Sequence, residues 1–383
     1  MVNLEELYQI FGKIYGACNH QEVYFSPGRV NLIGEHLDYN GGLVMPLAIN
    51  RGITAVFVPD QSCTLDIYSL DFQDKMHLSW ERKLSGDFDS SWRQYIAASL
   101  EQILKRKLPL RGGKVLLKSD LPVASGLSSS AALECLFLYL SAPEFYDTHR
   151  LELALDAQHA EIEGMGVQCG IMDQYAIAFG RQGQTLLLDC EKMSHEYVPF
   201  QLGNYSLIVV NTRQPRKLQN SLYNERRKEC EKALQIIQRT DPTPNLAQAH
   251  LLSVGAIEDD LLYFRAKHVV TEQQRVMAAV DALELNRIDY LGNLLWQSHQ
   301  SLDEDFEVAG EALNTVIQYS KKFRHCIGAR MTGAGFGGCA IALVEKGTES
   351  RYESYVGKKY RENLGIEADF FIIDACDGVK RIR

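Results

Sequence analysis

Between Gly113 and Glu134 the chain passes from a strand, Gly113 to Lys118, through a loop of small residues into a helix that starts at about Ser129. No other stretch constrains the fold as tightly. The loop and first turns read Leu121-Pro-Val-Ala-Ser-Gly-Leu-Ser-Ser-Ser-Ala-Ala-Leu-Glu134. Small residues let backbone approach a ligand. The N–H groups at a helix N-terminus, aided by the positive end of its dipole, cradle phosphate without a lysine. The Walker A pattern G-x-x-x-x-G-K-[ST] has no match, so this cradle is of another kind. A serine-capped helix with no ligand carries the same local signature, because Ser is a good N-cap.

The flanking pattern places this junction in a mixed fold. Leu4, Leu7, Tyr8, Phe11, Ile14 and Tyr15 recur at helical spacing and predict an opening helix, followed by an extended run from Glu22 to Phe25. Leu43 to Ile67 is rich in Val, Ile, Thr and Phe and is punctuated by Asn50, Gly52 and Pro59-Asp60, which predicts several antiparallel strands. Trp92, Tyr95, Ile96, Leu100, Ile103 and Leu104 predict a helix over Ser91 to Lys105. The second half is mostly helical from Ser221 to Ser320, until Cys339 to Val344 and Phe370 to Ile373 supply strands around a helix near Glu349 to Glu362. With 383 residues, two or three domains are expected. The reading is an α+β fold in two lobes, residues 1–200 and 201–383, with a cleft between them as the ligand site.

The 40 basic and 49 acidic residues give a net charge of −9, the wrong sign for gripping phosphate backbones, so nucleic acid is not expected as a partner. Nine cysteines stand singly with no C-x-x-C pair, which suits buried free thiols in a reducing compartment. The start, MVNLEELYQIFGKIYG, carries acidic residues where a signal peptide needs a basic stretch and an apolar run. No segment offers about 18 uninterrupted apolar residues. A cytoplasmic address and no membrane partner are expected.

Three further motifs carry chemistry. Met331-Thr-Gly-Ala-Gly-Phe-Gly-Gly-Cys339 formally contains G-x-G-x-x-G, but these glycines run into the strand-like Cys339 to Val344 instead of opening a helix, which rejects a dinucleotide fingerprint. The loop either supports the first cradle, covers the nucleotide, or is a tight glycine hairpin. Ser26-Pro-Gly-Arg-Val-Asn-Leu-Ile-Gly-Glu-His-Leu-Asp-Tyr-Asn-Gly-Gly42 crowds Arg29, Glu35, His36, Asp38, Tyr39 and Asn40 together, a density of donors and acceptors that suits a polyol or a polar surface loop. Gly166-Val-Gln-Cys-Gly-Ile-Met-Asp-Gln174 sets Asp173 in an apolar stretch, where a buried carboxylate could take a hydroxyl proton or orient the hydroxyl, beside a cation such as Arg29. Glu161, on a helix predicted from Leu151 to Glu163, could complete a Mg2+ shell with a loop serine, or be a solvated glutamate. No H-x-H or H-E-x-x-H occurs.

Together PGRVNLIGEHLDYNGG, GLSSSAALE, CGIMDQ and TGAGFGGCAIAL resemble the signature motifs of the GHMP small-molecule kinases, with fainter echoes in SLYNERRKECE at 221–231 and SHQSLDEDFEV at 298–308. The first motif resembles the galactose-phosphorylating branch, while the second and third are shared more widely. The resemblance implies a ribosomal-S5-like N-terminal lobe and a ferredoxin-like C-terminal lobe. It implies that Arg29 and Asp173 are the catalytic pair, and that Glu35, His36, Leu37, Asp38 and Tyr223 lie at the sugar. By the same resemblance, Pro122, Val123, Ala124, Ser125, Gly126, Leu127, Ser128, Ser129 and Ser130 wrap the phosphates of ATP, Ser69 touches the nucleotide, and Ser130 and Glu161 bind Mg2+. The implied partners are a small sugar and ATP, and the implied reaction is phosphorylation of the anomeric hydroxyl of galactose. A kinase for N-acetylgalactosamine or L-arabinose, or a catalytically silent sugar and ATP sensor, stands as the alternative. Two positions depart from the pattern: Leu37 stands where the signature usually has Thr, and AGEALN occupies 309–314.

Overall fold

The computed structural model describes every residue except 1–2, 19, 82, 87, 89–90, 123–125, 167–168 and 215–218. Val123, Ala124 and Ser125 of the expected phosphate loop therefore lie outside the described residues.

Its largest sheet has seven strands in the order Lys380–Arg381, Glu22–Asn31, Pro46–Asp60, Gly112–Ser119, Thr64–Ser69, Asp74–Ser79 and Ser85–Gly86. Thr64–Ser69 runs parallel to Gly112–Ser119, and the other neighbours are antiparallel. The two-residue side-chain period assigns its faces. Val56 and Leu116 point to one side, where Leu7 and Phe11 of the opening helix Leu4–Tyr15 cover them. Ala55, Phe57, Val115 and Leu117 point to the other, into the main core with helices Ser91–Lys105, Ser129–Ser141 and Met172–Phe179. Fully burying one such apolar side chain contributes about 1.5–3 kcal/mol.

Residues 43–60 do not break at Asn50 and Gly52 as their composition suggests: Pro46–Asp60 is one strand of 15 residues. Gly52 is there for close approach, since a Cβ would lie 2.2 Å from Ser26 O, opposite the register shift at Pro27/Gly28.

A second sheet, antiparallel throughout, orders Cys326–Thr332, Cys339–Glu345, Tyr205–Asn211 and Asp369–Ile373. Along the chain these strands and their helices run strand, helices, strand, strand, helix, strand, the ferredoxin-like pattern. A third sheet joins Leu43–Val44, Gln184–Asp189 and Ser194–Pro199. The second sheet begins at Tyr205, whereas Lys380 and Arg381 return to pair with Phe25 and Tyr24 in the first. All nine cysteines are free and five of them, Cys135, Cys190, Cys230, Cys326 and Cys339, are buried. Among the described residues no helix is long and apolar enough to cross a membrane.

Candidate active site

Helix Ser129–Ser141 begins after Ser128, whose φ of 59° puts a non-glycine residue in the left-handed region. Ser128 makes no side-chain cap bond; its hydroxyl instead donates to Asp173 Oδ2 at 2.5 Å. A strained backbone with its hydroxyl turned away from the helix is not an ordinary serine cap. Asp173 lies in the first turn of Met172–Phe179 and is half-buried, more open than the apolar stretch around it suggests, because its carboxylate faces a cavity and not the core. Arg29, on strand Glu22–Asn31, donates to it through Nε at 2.8 Å and Nη2 at 2.7 Å, and through Nη1 to Gly126 O at 2.5 Å.

Two cavities meet at this pair. The smaller, about 170 Å³, is walled by polar groups including Glu35, His36, Asp38, Glu161 and Tyr223. The larger, about 520 Å³, mixes Ser69, Gly126, Ser128, Ser129 and Ser130 with the apolar faces of Phe72, Trp92, Tyr95 and Leu133. Arg29, Asp173, Gly333 and Ala334 line both. A compact polyol fits the first by chemistry, and a group with a flat ring and an anionic tail fits the second, whose floor is a helix N-terminus.

Comparison with known proteins identifies the family. Residues 9–59 match the galactokinase galactose-binding signature, 94–181 the GHMP kinase N-terminal domain and 279–362 the GHMP kinase C-terminal domain. A galactokinase of Exiguobacterium sibiricum is 38% identical over 99% of this chain and 98% of its own length. One from Levilactobacillus brevis is 39% identical over 94% of each chain. The chain belongs to the galactokinase family. The crystal structure of Lactococcus lactis galactokinase complexed with galactose superimposes with a TM-score of 0.90 at 35% identity, covering 99% of this chain and all of that one. The two-lobed α+β GHMP kinase fold expected from the sequence is the fold of this galactokinase-family chain.

Within the small cavity the expected sugar residues differ in how they are held. His36 has a left-handed φ of 63°, its Nδ1 is 2.9 Å from Tyr39 Oη, and its ring packs 4.7 Å from Phe306 and 5.8 Å from Tyr223. Burial holds its pKa well below the usual histidine value, so it is neutral. Asp38 opens the short 3-10 turn Asp38–Asn40, and burial, reinforced by Asp173, pushes it up to about 6. Gly170 packs on it: a Cβ there would lie 2.1 Å from Asp38 Oδ2. Leu37 is not brought to the cavity. The chain is not extended here, and after the left-handed His36 the Leu37 side chain turns fully into the main core.

Glu35 is 2% exposed and is gripped by one group of its own segment and two from far along the chain. Arg330 forms an ion pair with Oε2, Asn31 Nδ2 donates to Oε2 at 2.9 Å, and Gly333 N donates to Oε1 at 3.0 Å. Burial raises its pKa while Arg330 opposes the rise. Gly333 belongs to the glycine loop, which is a hairpin between Cys326–Thr332 and Cys339–Glu345 with Thr332 opposite Cys339. The loop is thus a hairpin, and its Gly333 and Ala334 border both cavities.

Of the expected phosphate-loop residues, Gly126, Ser128, Ser129 and Ser130 line the larger cavity, as does Ser69. Leu127 is buried, its carbonyl accepting from Arg29 N at 3.2 Å, and neither Leu127 nor Pro122 is part of the lining. Glu161 lies in a π-helical turn, Ala160–Gly164, that follows helix Arg150–His159, so the helix predicted to Glu163 changes pitch before it. Ser130 Oγ donates to Glu161 Oε1 at 3.3 Å, and Gln174 Nε2 donates to Oε2 at 2.7 Å. Burial, then Asp173, raises the pKa of Glu161. A hydroxyl beside a carboxylate suits Mg2+, which takes one or two protein oxygens together with phosphate oxygens and water. The residues therefore fit that ion.

Sequence reasoning missed Phe72, Trp92 and Tyr95 as cavity residues. Trp92 and Tyr95 sit on the helical face that also builds the core, and Phe72 stacks on Trp92 at 5.9 Å from a turn with no pattern of its own. An aromatic residue on an exposed turn was the one available signal.

Proposed function

We propose that the protein transfers the γ-phosphoryl group of ATP directly to the anomeric hydroxyl of galactose, giving galactose 1-phosphate and ADP. The observation that carries this reading is the Arg29–Asp173 pair at the junction of a polar cavity and a larger one floored by a helix N-terminus. Galactose occupies the first, held by Glu35, His36, Asp38 and Tyr223. ATP occupies the second, its base against Phe72 and Trp92 and its phosphates at Gly126 to Ser130. Asp173 accepts the anomeric proton as the hydroxyl attacks, and Arg29 stabilises charge on the phosphoryl oxygens while orienting Asp173. Ser130 and Glu161 would hold Mg2+, which would supply neutralisation of the phosphate charge. Placement of both substrates does much of the work, since phosphoryl transfer depends chiefly on positioning and electrostatics.

The division into lobes near residue 200 is supported by the start of the second sheet at Tyr205, and a reducing, cytoplasmic setting by the free thiols. A coupled ADP-release assay with galactose, N-acetylgalactosamine, L-arabinose and glucose tests the function. Galactose should give the highest kcat/KM, and glucose, inverted at one carbon, should be far poorer because a buried acceptor loses its partner. Preference for another sugar would overturn the substrate and leave the phosphoryl transfer.

A further inference from the structure

We infer that Arg330, which lines neither cavity, is a positioning residue for sugar selectivity that acts through Glu35; this rests on the reading that Glu35 meets the sugar. Arg330 is fully buried on strand Cys326–Thr332. Besides its ion pair with Glu35, it donates through Nε to Ser298 Oγ at 3.1 Å and through Nη1 to Asn31 O and Leu32 O, each at 3.2 Å. One guanidinium thus fixes both the backbone that leads into the sugar segment and the carboxylate at its end.

The rest of that segment is gripped from the same side. Thr332 Oγ1 donates to Asn31 O at 3.0 Å and accepts from Asn31 N at 3.1 Å. Gly34 N donates to Glu272 Oε1 at 2.9 Å, and His268 Nε2 lies 3.2 Å from Glu35 O. Residues between 268 and 333 therefore set the shape of a loop that ends near residue 36.

The chemistry of the grip matters as much as its rigidity. Asn31 and Gly333 donate to the Glu35 carboxylate and the Arg330 cation pairs with it, which makes it an acceptor only. Oε2 carries two of these partners, and Oε1 carries one, Gly333, which itself borders the cavity. Oε1 keeps room for one more donor, and a sugar hydroxyl at that point must donate. A lysine in place of Arg330 brings a point charge without the planar fork and cannot hold Ser298, two carbonyls and Glu35 at once.

The test measures kcat/KM for galactose and for the monodeoxygalactoses that each lack one non-anomeric hydroxyl, in the parent, Glu35→Gln and Arg330→Lys. In the parent one deoxy sugar should be penalised by about tenfold to a hundredfold through loss of a bond to a charged acceptor. Arg330→Lys should shrink that one penalty by about tenfold, leaving the other penalties and the KM for ATP near the parent's. If Glu35→Gln changes the penalty and Arg330→Lys does not, the positioning role is overturned. So it is if Arg330→Lys shifts every penalty and the ATP KM together, the mark of a merely structural residue. A profile that Glu35→Gln leaves untouched would instead remove Glu35 from the sugar, and the inference with it. Should Arg330→Lys fail to fold, Ser298→Ala frees the Nε end of Arg330 while keeping its ion pair, and the same penalty should fall; no change there overturns the inference.

Discussion

Arg29 holds Asp173 by two nitrogens across a sequence separation of 144 residues, with Nε on Oδ1 at 2.8 Å and Nη2 on Oδ2 at 2.7 Å. Such a fork matches a carboxylate in both distance and plane, so it fixes orientation as well as proximity. Because the third arm reaches Gly126 O, one side chain sets the register of the sugar segment, the phosphate loop and the helix of Asp173.

Glu161→Ala removes one of the two protein oxygens proposed for Mg2+. The Mg2+ concentration giving half-maximal rate at saturating ATP should rise by about tenfold. A titration that superimposes on the parent's would take Glu161 out of the shell.

Asp38 gives a pH signature. Its folded pKa, about 6, lies above its ordinary 3.8, so the stability it contributes is full below that ordinary value and is lost as pH rises through about 6. Sugar binding runs the other way, because the ionised carboxylate is the better acceptor. The KM for galactose should therefore rise by about tenfold as pH falls below about 6. In Asp38→Asn both the step in Tm and the step in KM near that pH should disappear; a variant that kept the parent's KM profile would assign the titration to another group.

Gly170→Ala places a methyl group 2.1 Å from Asp38 Oδ2 and must push the carboxylate aside. Galactose kcat/KM should drop by about ten- to a hundredfold while the KM for ATP holds. Equal effects on both substrates would show that the change spreads beyond the sugar cavity.

Phe72 is 51% exposed, so Phe72→Ala should fold normally. Loss of its ring from the larger cavity should raise the KM for ATP by about fivefold through lost stacking, with galactose unaffected. An unchanged ATP KM would place the base elsewhere.

Local chemistry made much of this legible. The strand, loop and helix around Gly126 could be read because glycine, proline and serine punctuate a change of hydrophobic period, and Arg29, Asp38 and Asp173 because polar groups crowd into otherwise apolar sequence. The environment of Glu35 could not, since its partners Arg330 and Gly333 lie about 300 residues away and an arginine in an apolar strand looks the same whether it pairs or not. Leu37 was assigned to the sugar by resemblance alone, and its place in the core could not be read because the left-handed His36 that turns it inward leaves no pattern in the sequence. The return of Lys380 and Arg381 to the first sheet carries no local signal, as two residues are too short to show a period.

Asp173→Asn tests the base most directly, measured as turnover by ADP release and as galactose affinity by calorimetry. The amide keeps the size of the side chain and removes the base. Turnover should fall by roughly a hundredfold or more, with galactose affinity within a few-fold of the parent's. Near-parental turnover would contradict the assignment of Asp173 as the base and, with it, the mechanism placed at the junction of the two cavities.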